Sequence, residues 1–211
     1  MSAGIPFVVA APSGTGKTTV CRKLVDSDPD LRFSVSHTTR VPREGERDGE
    51  QYHFVSAERF AELVEEGAFI EHAEYAGNSY GTSWASIDGP LAEGLDLLLE
   101  IEVQGAAQIR KRRADARFVF LLPPTPAEAE RRLRARGQDD AAAIERRVEL
   151  MRRELRSVND FVYVVVNDDL EGCVAAVREI VAAERAGDVD AVRAEHGREA
   201  VRARLGDGFP V

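Results

Sequence analysis

Short apolar runs alternate with helix-forming stretches along most of this chain. Apolar runs that are bounded by turn residues predict buried strands at 5–11, 95–101, 117–122 and 161–166. Helix-forming stretches are placed at 18–25, 104–113, 126–136 and 170–185. Because strands that alternate with helices form parallel sheets covered on both faces, the pattern predicts an α/β fold.

Two stretches break this alternation. Residues 33–90 hold short alternating segments that predict an inserted mixed β lobe, and residues 125–157 are arginine-rich and helical without an apolar strand. Neither stretch is bounded by a Gly/Ser-rich or Pro-rich linker, so we expect one folding unit. Its core comprises 1–32, 91–124 and 158–187, and its charged C-terminal tail, 188–211, is expected to be a peripheral helix that frays.

Composition excludes several classes of protein. The 211 residues carry a formal net charge of −9, whereas a nucleic-acid-binding domain normally carries a basic patch. We expect no membrane span, because no apolar run approaches the length needed to cross a bilayer. Cys21 and Cys173 lack metal or redox spacing, and no secretory signal is evident at the N-terminus. These features predict free thiols and a cytoplasmic location.

A phosphate-binding loop follows the first predicted strand. Its residues fit [AG]-x-x-x-x-G-K-[ST] and are Ala11, Pro12, Ser13, Gly14, Thr15, Gly16, Lys17 and Thr18. The match lies between a strand and a helix, where backbone N–H groups and a helix N-terminus can cradle phosphates. Lys17 is expected to reach the β- and γ-phosphates, and the Thr18 hydroxyl to ligate Mg²⁺. The loop indicates a P-loop NTPase-type fold that binds a nucleoside triphosphate, which we take to be ATP, and we expect Thr19 to belong to the same ATP-binding site.

Further motifs point to one family. In order, they are SVSHTTRVPR at 34–43, Tyr52, FIE at 69–71, GNSYGT at 77–82, EIEVQGA at 100–106, Arg136-Gly137, Arg147 and VNDD at 166–169. Over residues 5–185 the chain resembles the guanylate kinases, P-loop kinases of nucleoside monophosphates. The resemblance implies phosphoryl transfer from ATP to GMP, giving ADP and GDP in guanine nucleotide biosynthesis and salvage. It also makes 33–90 the GMP-binding lobe and 125–157 a mobile lid.

The resemblance assigns GMP contacts to residues of the lobe. The phosphate of GMP is expected at Arg40, Arg43, Tyr52 and Tyr80, where guanidinium groups suit an oxyanion. Guanine is expected at Glu71 and Ser36, with Thr82 close by. A carboxylate can accept from the N1 and N2 donors of guanine, and a hydroxyl can donate to O6. Adenine would leave that carboxylate unpaired, so such a site can discriminate strongly.

The same resemblance assigns residues outside the lobe. Glu100 is expected to place the metal, through water because its side chain is longer than the aspartate of many relatives, and Glu102 to contact GMP. Arg136 and Arg147, with Arg43 and Lys17, are expected to stabilise the transferring phosphoryl group. Asn167 and Asp168 are placed at the adenosine end of ATP.

Two alternatives stay open at this point. One is a non-catalytic guanylate-kinase-like binding module, although such modules lack an intact phosphate loop. The other is a P-loop kinase of another phosphorylated acceptor, which would lack the combination of Ser36, Glu71 and Thr82. We expect ATP, GMP and dGMP as partners, and neither nucleic acid nor an obligate protein partner.

Overall fold

A computed structural model describes residues 3–75, 77–135, 141–206 and 210, with the backbone alone at 141–143. The packing groups the chain into two compact units. The first unit comprises Met1–Pro6, Asp30–Leu99 and Gln104–Ala116, and the second comprises Phe7–Pro29, Glu100–Val103 and Arg117–Val211. The division into core, lobe, lid and tail made from the sequence stays a prediction.

A five-stranded sheet contains the four predicted apolar runs and a short fifth strand at 31–33 that the apolar pattern did not predict. Its strands are β1 (Pro6–Ala10), β2 (Leu31–Phe33), β7 (Asp96–Glu100), β8 (Arg117–Leu122) and β9 (Tyr163–Val166). They follow the order β2-β7-β1-β8-β9, and β8 pairs in parallel register with both β1 and β9. Every residue of β1 is buried, as is expected where helices cover both faces. The parallel α/β sheet predicted from the sequence is confirmed.

In the second unit, helices follow the strands of the sheet. They are α1 (Lys17–Ser27), α5 (Pro126–Ala135), α6 (Ala141–Leu155) and α7 (Leu170–Ala186), with a 3₁₀ turn at Arg156–Asp160. Helix α7 begins where the Asp169 carboxylate accepts the Gly172 N–H, and it ends at Gly187, whose φ is 70°. These capping features fix the direction in which α7 leaves the sheet.

The first unit contains a smaller mixed sheet. Its strands are β3 (Ser36–Thr38), β4 (Tyr52–Phe54), β5 (Phe69–Tyr75) and β6 (Asn78–Ser83), in the order β4-β3-β6-β5. The β3–β4 pair is parallel and the other two pairs are antiparallel, which confirms the mixed β lobe. Helices α2 (Ala57–Glu65), α3 (Ala85–Ala92) and α4 (Val103–Arg112) accompany it. Of these, α2 and α3 were not anticipated from the alternating pattern.

The C-terminal tail differs from the single fraying helix expected. It forms two short helices, α8 (Asp190–His196) and α9 (Arg198–Leu205). Gly197 between them pairs with Tyr163 of β9, and the Arg198 N–H donates to the Val162 carbonyl. Since Val201 is fully buried, apolar packing also holds this segment. Within the part of the chain that is described, no helix has the length and apolarity to cross a membrane.

Candidate active site

The phosphate loop lies between β1 and α1, as predicted. Gly14 and Gly16 have φ values of 86° and 92°, a left-handed conformation that glycine adopts without steric cost. A Cβ atom at Gly14 would also lie 2.6 Å from the Ala129 carbonyl oxygen. The loop therefore requires glycine at this position for both backbone conformation and space.

Two side chains from other elements brace this loop. The Asn167 amide donates to the Thr15 carbonyl at 2.6 Å and is 6% exposed. Arg132 of α5 donates to the same carbonyl at 3.3 Å, and its guanidinium also bonds Glu128. Asn167 thus holds the loop itself. Its predicted contact with the adenosine end of ATP stays a prediction.

Lys17 is anchored among oxygen atoms. Its Nζ donates to the Ile101 carbonyl at 2.6 Å and to Glu102 Oε1 at 3.3 Å. Burial alone would lower the pKa of Lys17, but the negative charges of Glu102 and Glu100 outweigh burial and raise it. The ammonium group therefore stays charged at neutral pH, as a phosphate-binding lysine must. Glu102, predicted to contact GMP, here pairs with the lysine of the phosphate loop.

Thr18 and Glu100 form the candidate metal site. The Thr18 hydroxyl donates to a Glu100 carboxylate oxygen, so the two predicted ligand groups are in contact. Hydroxyl and carboxylate oxygens are ligands that Mg²⁺ prefers, and a site with few protein ligands suits an ion that retains several waters. The donor set therefore fits Mg²⁺.

Of the two lid arginines predicted to act in phosphoryl transfer, the structure describes one. Arg147 is half-buried on α6. Arg136, the second lid arginine predicted, lies outside the described residues. From the same helix, Glu154 accepts the Ser13 N–H of the phosphate loop at 3.2 Å. This contact was not predicted, because Glu154 stands among arginines in a stretch whose pattern is typical of a solvated helix face.

In the first unit, the residues predicted to read guanine are in contact. The Thr82 hydroxyl donates to Glu71 Oε1 at 2.5 Å, and Ser36 Oγ lies 3.0 Å from Thr82 Oγ1. Because Thr82 gives its single proton to Glu71, Ser36 donates to Thr82. Glu71 is 5% exposed and Thr82 is fully buried. The three side chains form one hydrogen-bonded chain, half-buried at Ser36, that ends on a buried carboxylate.

Gly105 makes room for this carboxylate. A Cβ atom at Gly105, on α4, would lie 2.4 Å from Glu71 Oε2 and 3.0 Å from its Cδ. Any residue with a Cβ atom at this position would displace Glu71 or the helix. Gly105 was part of the motif EIEVQGA, yet the sequence did not predict its role as a spacer beside Glu71.

The residues predicted to hold the GMP phosphate are partly assembled. The rings of Tyr52 and Tyr80 lie 5.9 Å apart, and the Arg40 guanidinium lies 5.5 Å from the Tyr52 ring centre. Arg40 bonds both carboxylate oxygens of Glu46 at 2.9 Å, and these bonds lower the pKa of Glu46. Arg43 is exposed, and its backbone N–H donates to Glu46. Glu46 was not anticipated from the sequence.

The remaining predictions concern two expected ATP contacts, Thr19 and Asp168, and the two cysteines. Thr19 and Asp168 are exposed, and the Asp168 carboxylate accepts the neighbouring Asp169 N–H. Their contacts with ATP stay predictions. Cys21 and Cys173 are free and buried, as expected, and burial raises the pKa of both thiols, that of Cys173 to about 12. Neither thiol is a nucleophile at neutral pH.

Comparisons with known proteins agree with this geometry. The profile of the family described as Guanylate kinase matches residues 3–184. A guanylate kinase from Syntrophotalea carbinolica is 48% identical over 195 residues, which cover 92% of each chain. One from Methylobacillus flagellatus is 48% identical over 179 residues, covering 85% of this chain and 89% of that one. The crystal structure of guanylate kinase from Anaplasma phagocytophilum aligns with a TM-score of 0.72 at 31% identity, covering 100% of this chain and 97% of that chain. The chain therefore belongs to the guanylate kinase family.

Proposed function

We propose that this protein transfers the terminal phosphoryl group of ATP to GMP, giving ADP and GDP. The observation that carries the proposal is the hydrogen-bonded chain of Ser36, Thr82 and Glu71. It presents a carboxylate and hydroxyl groups that match the hydrogen-bonding edge of guanine. The same protein has an intact phosphate loop with a charged Lys17, which supplies the ATP half of the reaction.

ATP is assigned to the second unit. The N–H groups of residues 13–18 and the N-terminal end of α1 would bind the β- and γ-phosphates, and Lys17 would add a positive charge. Thr18 and Glu100 would hold Mg²⁺, Glu100 through a water molecule. When bound, Mg²⁺ supplies positive charge that offsets the negative charge of the phosphates.

GMP is assigned to the first unit. Glu71 would accept the N1 and N2 donors of guanine, and Ser36 would turn its hydroxyl from Thr82 to the O6 acceptor. Arg40, with Tyr52 and Tyr80, would bind the phosphate, and Arg43 would extend over it. Arg40 carries five N–H donors, so it can bind a phosphate oxygen while it keeps part of its bond to Glu46. Because the 2′-hydroxyl has no part in this scheme, we expect dGMP to be an acceptor too.

The transfer step requires alignment and charge compensation more than proton chemistry. The attacking GMP phosphate is already anionic at neutral pH, so no general base is needed. Lys17, Arg43, Arg136 and Arg147 would offset the charge that spreads over the equatorial oxygens in the transition state. Glu102 pairs with Lys17. It would also contact GMP when negative charge spreads over the equatorial oxygens of the transferring group. An arginine-rich lid at 125–157 would exclude water, which otherwise hydrolyses ATP.

The cellular compartment and the partners of the enzyme are also part of the proposal. We propose a cytoplasmic enzyme that acts on small molecules without an obligate protein partner. Two buried free thiols, with raised pKa values, are consistent with a reducing compartment.

An acceptor panel tests this function. ADP formation is followed with ATP, Mg²⁺ and one acceptor at a time: GMP, dGMP, AMP, UMP or CMP. We expect GMP to give the highest kcat/KM, about 10⁴-fold above AMP. Equal turnover of AMP and GMP would support a kinase of another acceptor. The absence of turnover with every acceptor, despite measurable ATP binding, would support a binding module.

A further inference from the structure

Glu154 places a carboxylate on the phosphate loop. It lies one residue before the end of α6, is 8% exposed, and accepts the Ser13 N–H at 3.2 Å. Ser13 is the third residue of the loop whose amides are assigned to ATP phosphates. An internal anion therefore bonds an amide that a phosphate-binding loop offers to its ligand.

The charges around Glu154 leave it poorly compensated. Burial and the negative charge of Glu102 raise its pKa to about 7, although the Ser13 N–H, Lys17 and Arg147 act in the opposite direction. Lys17 donates to Glu102 at 3.3 Å, so its charge is shared. The neighbouring Arg152 and Arg153 of α6 are exposed. A carboxyl group in this setting gains or loses its proton when the pH changes slightly near neutrality.

We propose that Glu154 controls the affinity of the phosphate loop for ATP: its charged form holds the Ser13 N–H and opposes the phosphates, and its neutral form admits them. The inference rests on the proposed function, because it takes the loop to be the ATP site. An ATP phosphate next to Glu154 would favour the protonated carboxyl, which can also donate its O–H to a phosphate oxygen. ATP binding would therefore take up a proton at Glu154.

The test is calorimetric titration of the full chain with ATP and Mg²⁺, without GMP, from pH 6 to pH 8.5. Glu154→Gln keeps an acceptor for the Ser13 N–H and removes the charge. We expect this variant to bind ATP about fivefold to tenfold more tightly than wild type at pH 8, as for like charges separated by several ångströms. The difference should shrink to less than about twofold at pH 6, where Glu154 is protonated in wild type.

Proton uptake gives a second readout that a structural role would not produce. Titrations in buffers with different ionisation enthalpies should show that wild type takes up about half a proton more per ATP than Glu154→Gln at pH 7.5. The titration of ATP itself cancels in this difference. Glu154→Ala, which removes the carboxyl altogether, should bind ATP with the same flat pH profile as Glu154→Gln.

Glu149→Gln is the matched control, because it removes one charge from an exposed position of α6 that pairs with Arg153. It should behave as wild type does. Weaker ATP binding by Glu154→Gln, a pH-independent difference from wild type, or net proton release would overturn the inference. If wild type phosphorylates GMP normally while these readouts fail, only the role of Glu154 is refuted. If wild type binds no ATP at any pH, the proposed function itself fails.

Discussion

A methyl group added at Gly105 should disturb the reading of guanine without touching the phosphate loop. In Gly105→Ala the new Cβ atom would lie 2.4 Å from Glu71 Oε2, where a carbon–oxygen contact normally needs about 3.3 Å. The carboxylate must therefore retreat by about 0.9 Å, and this shift misaligns it with guanine and with Thr82. Loss of one charge-assisted hydrogen bond costs about 1.5–3 kcal/mol, or about tenfold to a hundredfold in kcat/KM.

The assay is steady-state kinetics with GMP and AMP as acceptors. We expect kcat/KM for GMP to fall by about tenfold to a hundredfold, the preference for GMP over AMP to fall with it, and the KM for ATP to stay within about twofold. Glu71→Gln should produce the same pattern, because it places an amide N–H₂ against a guanine donor.

Gly89→Ala supplies the matched control. Gly89 lies in α3 of the same unit, and an added Cβ atom there has nothing within 4 Å. This variant should keep wild-type kinetics and gain about 0.5–1 kcal/mol of unfolding free energy from helix propensity. If Gly105→Ala is folded and its preference for GMP over AMP matches that of Gly89→Ala, Glu71 does not read the base.

Three further predictions concern the second unit. Lys17→Ala should fold normally but lose phosphoryl transfer by at least about a thousandfold, and near-normal turnover would contradict the assignment of the phosphate loop. Arg147→Ala should lower kcat far more than it raises the KM for GMP, since a contact made mainly in the transition state affects rate; a change in KM alone would make Arg147 a ground-state contact. Burial raises the pKa of Glu154 from 4.5 to about 7, so its contribution to stability is fully present below pH 4.5 and is lost as the pH rises through 7. Compared with Glu154→Gln, wild type should lose up to about 3 kcal/mol of unfolding free energy between pH 4.5 and pH 8, as measured by urea denaturation. If the unfolding free energies of the two proteins change in parallel with pH, Glu154 is not a buried charge.

Four of the five strands of the large sheet could be predicted because burial on both faces leaves an uninterrupted apolar signal, whereas the three residues of β2 include the exposed Arg32. The bounds predicted for β8 match the structure at 117–122. Helix α3 could not be found in this way, because it contains Gly89 and Pro90, two residues that disfavour a helix interior. The start of helix α2 could have been predicted, because Ser56 is a residue type that caps helices and its side chain caps the first turn. The alternating segments around α2 obscured the helical period of its apolar residues.

The tail shows a second limit of sequence patterns. Helices of seven and eight residues give too few turns for a clear period, and Gly197 separates them. What holds them is tertiary: the pairing of Gly197 with Tyr163 and the burial of Val201. A segment whose order depends on contacts with a distant strand looks in sequence like a charged, fraying end.

Candidate site residues that stand in a motif were proposed from the sequence, whereas their charge partners were not. Glu71 stands within a sequence motif of the lobe, and its contact with Thr82 followed the prediction. Glu46 and Glu154 stand in no such motif. A carboxylate among arginines is normally solvated, so the sequence pattern gives no reason to assign either of them a contact. Only the fold places Glu46 on Arg40 and Glu154 on the Ser13 N–H.

These partners change the physical picture of how a chain with a net charge of −9 binds nucleotides. In the structure, Lys17 pairs with Glu102 and Arg40 with Glu46. If Lys17 and Arg40 bind phosphates as proposed, each phosphate competes with a carboxylate for its cation, and does not enter a bare positive pocket. Because its affinity is then the difference between two charge-assisted interactions, each carboxylate helps to set how tightly the nucleotide binds and how readily the product leaves. On this proposal, phosphate affinity depends on the carboxylates of Glu102 and Glu46 as well as on the cations of Lys17 and Arg40.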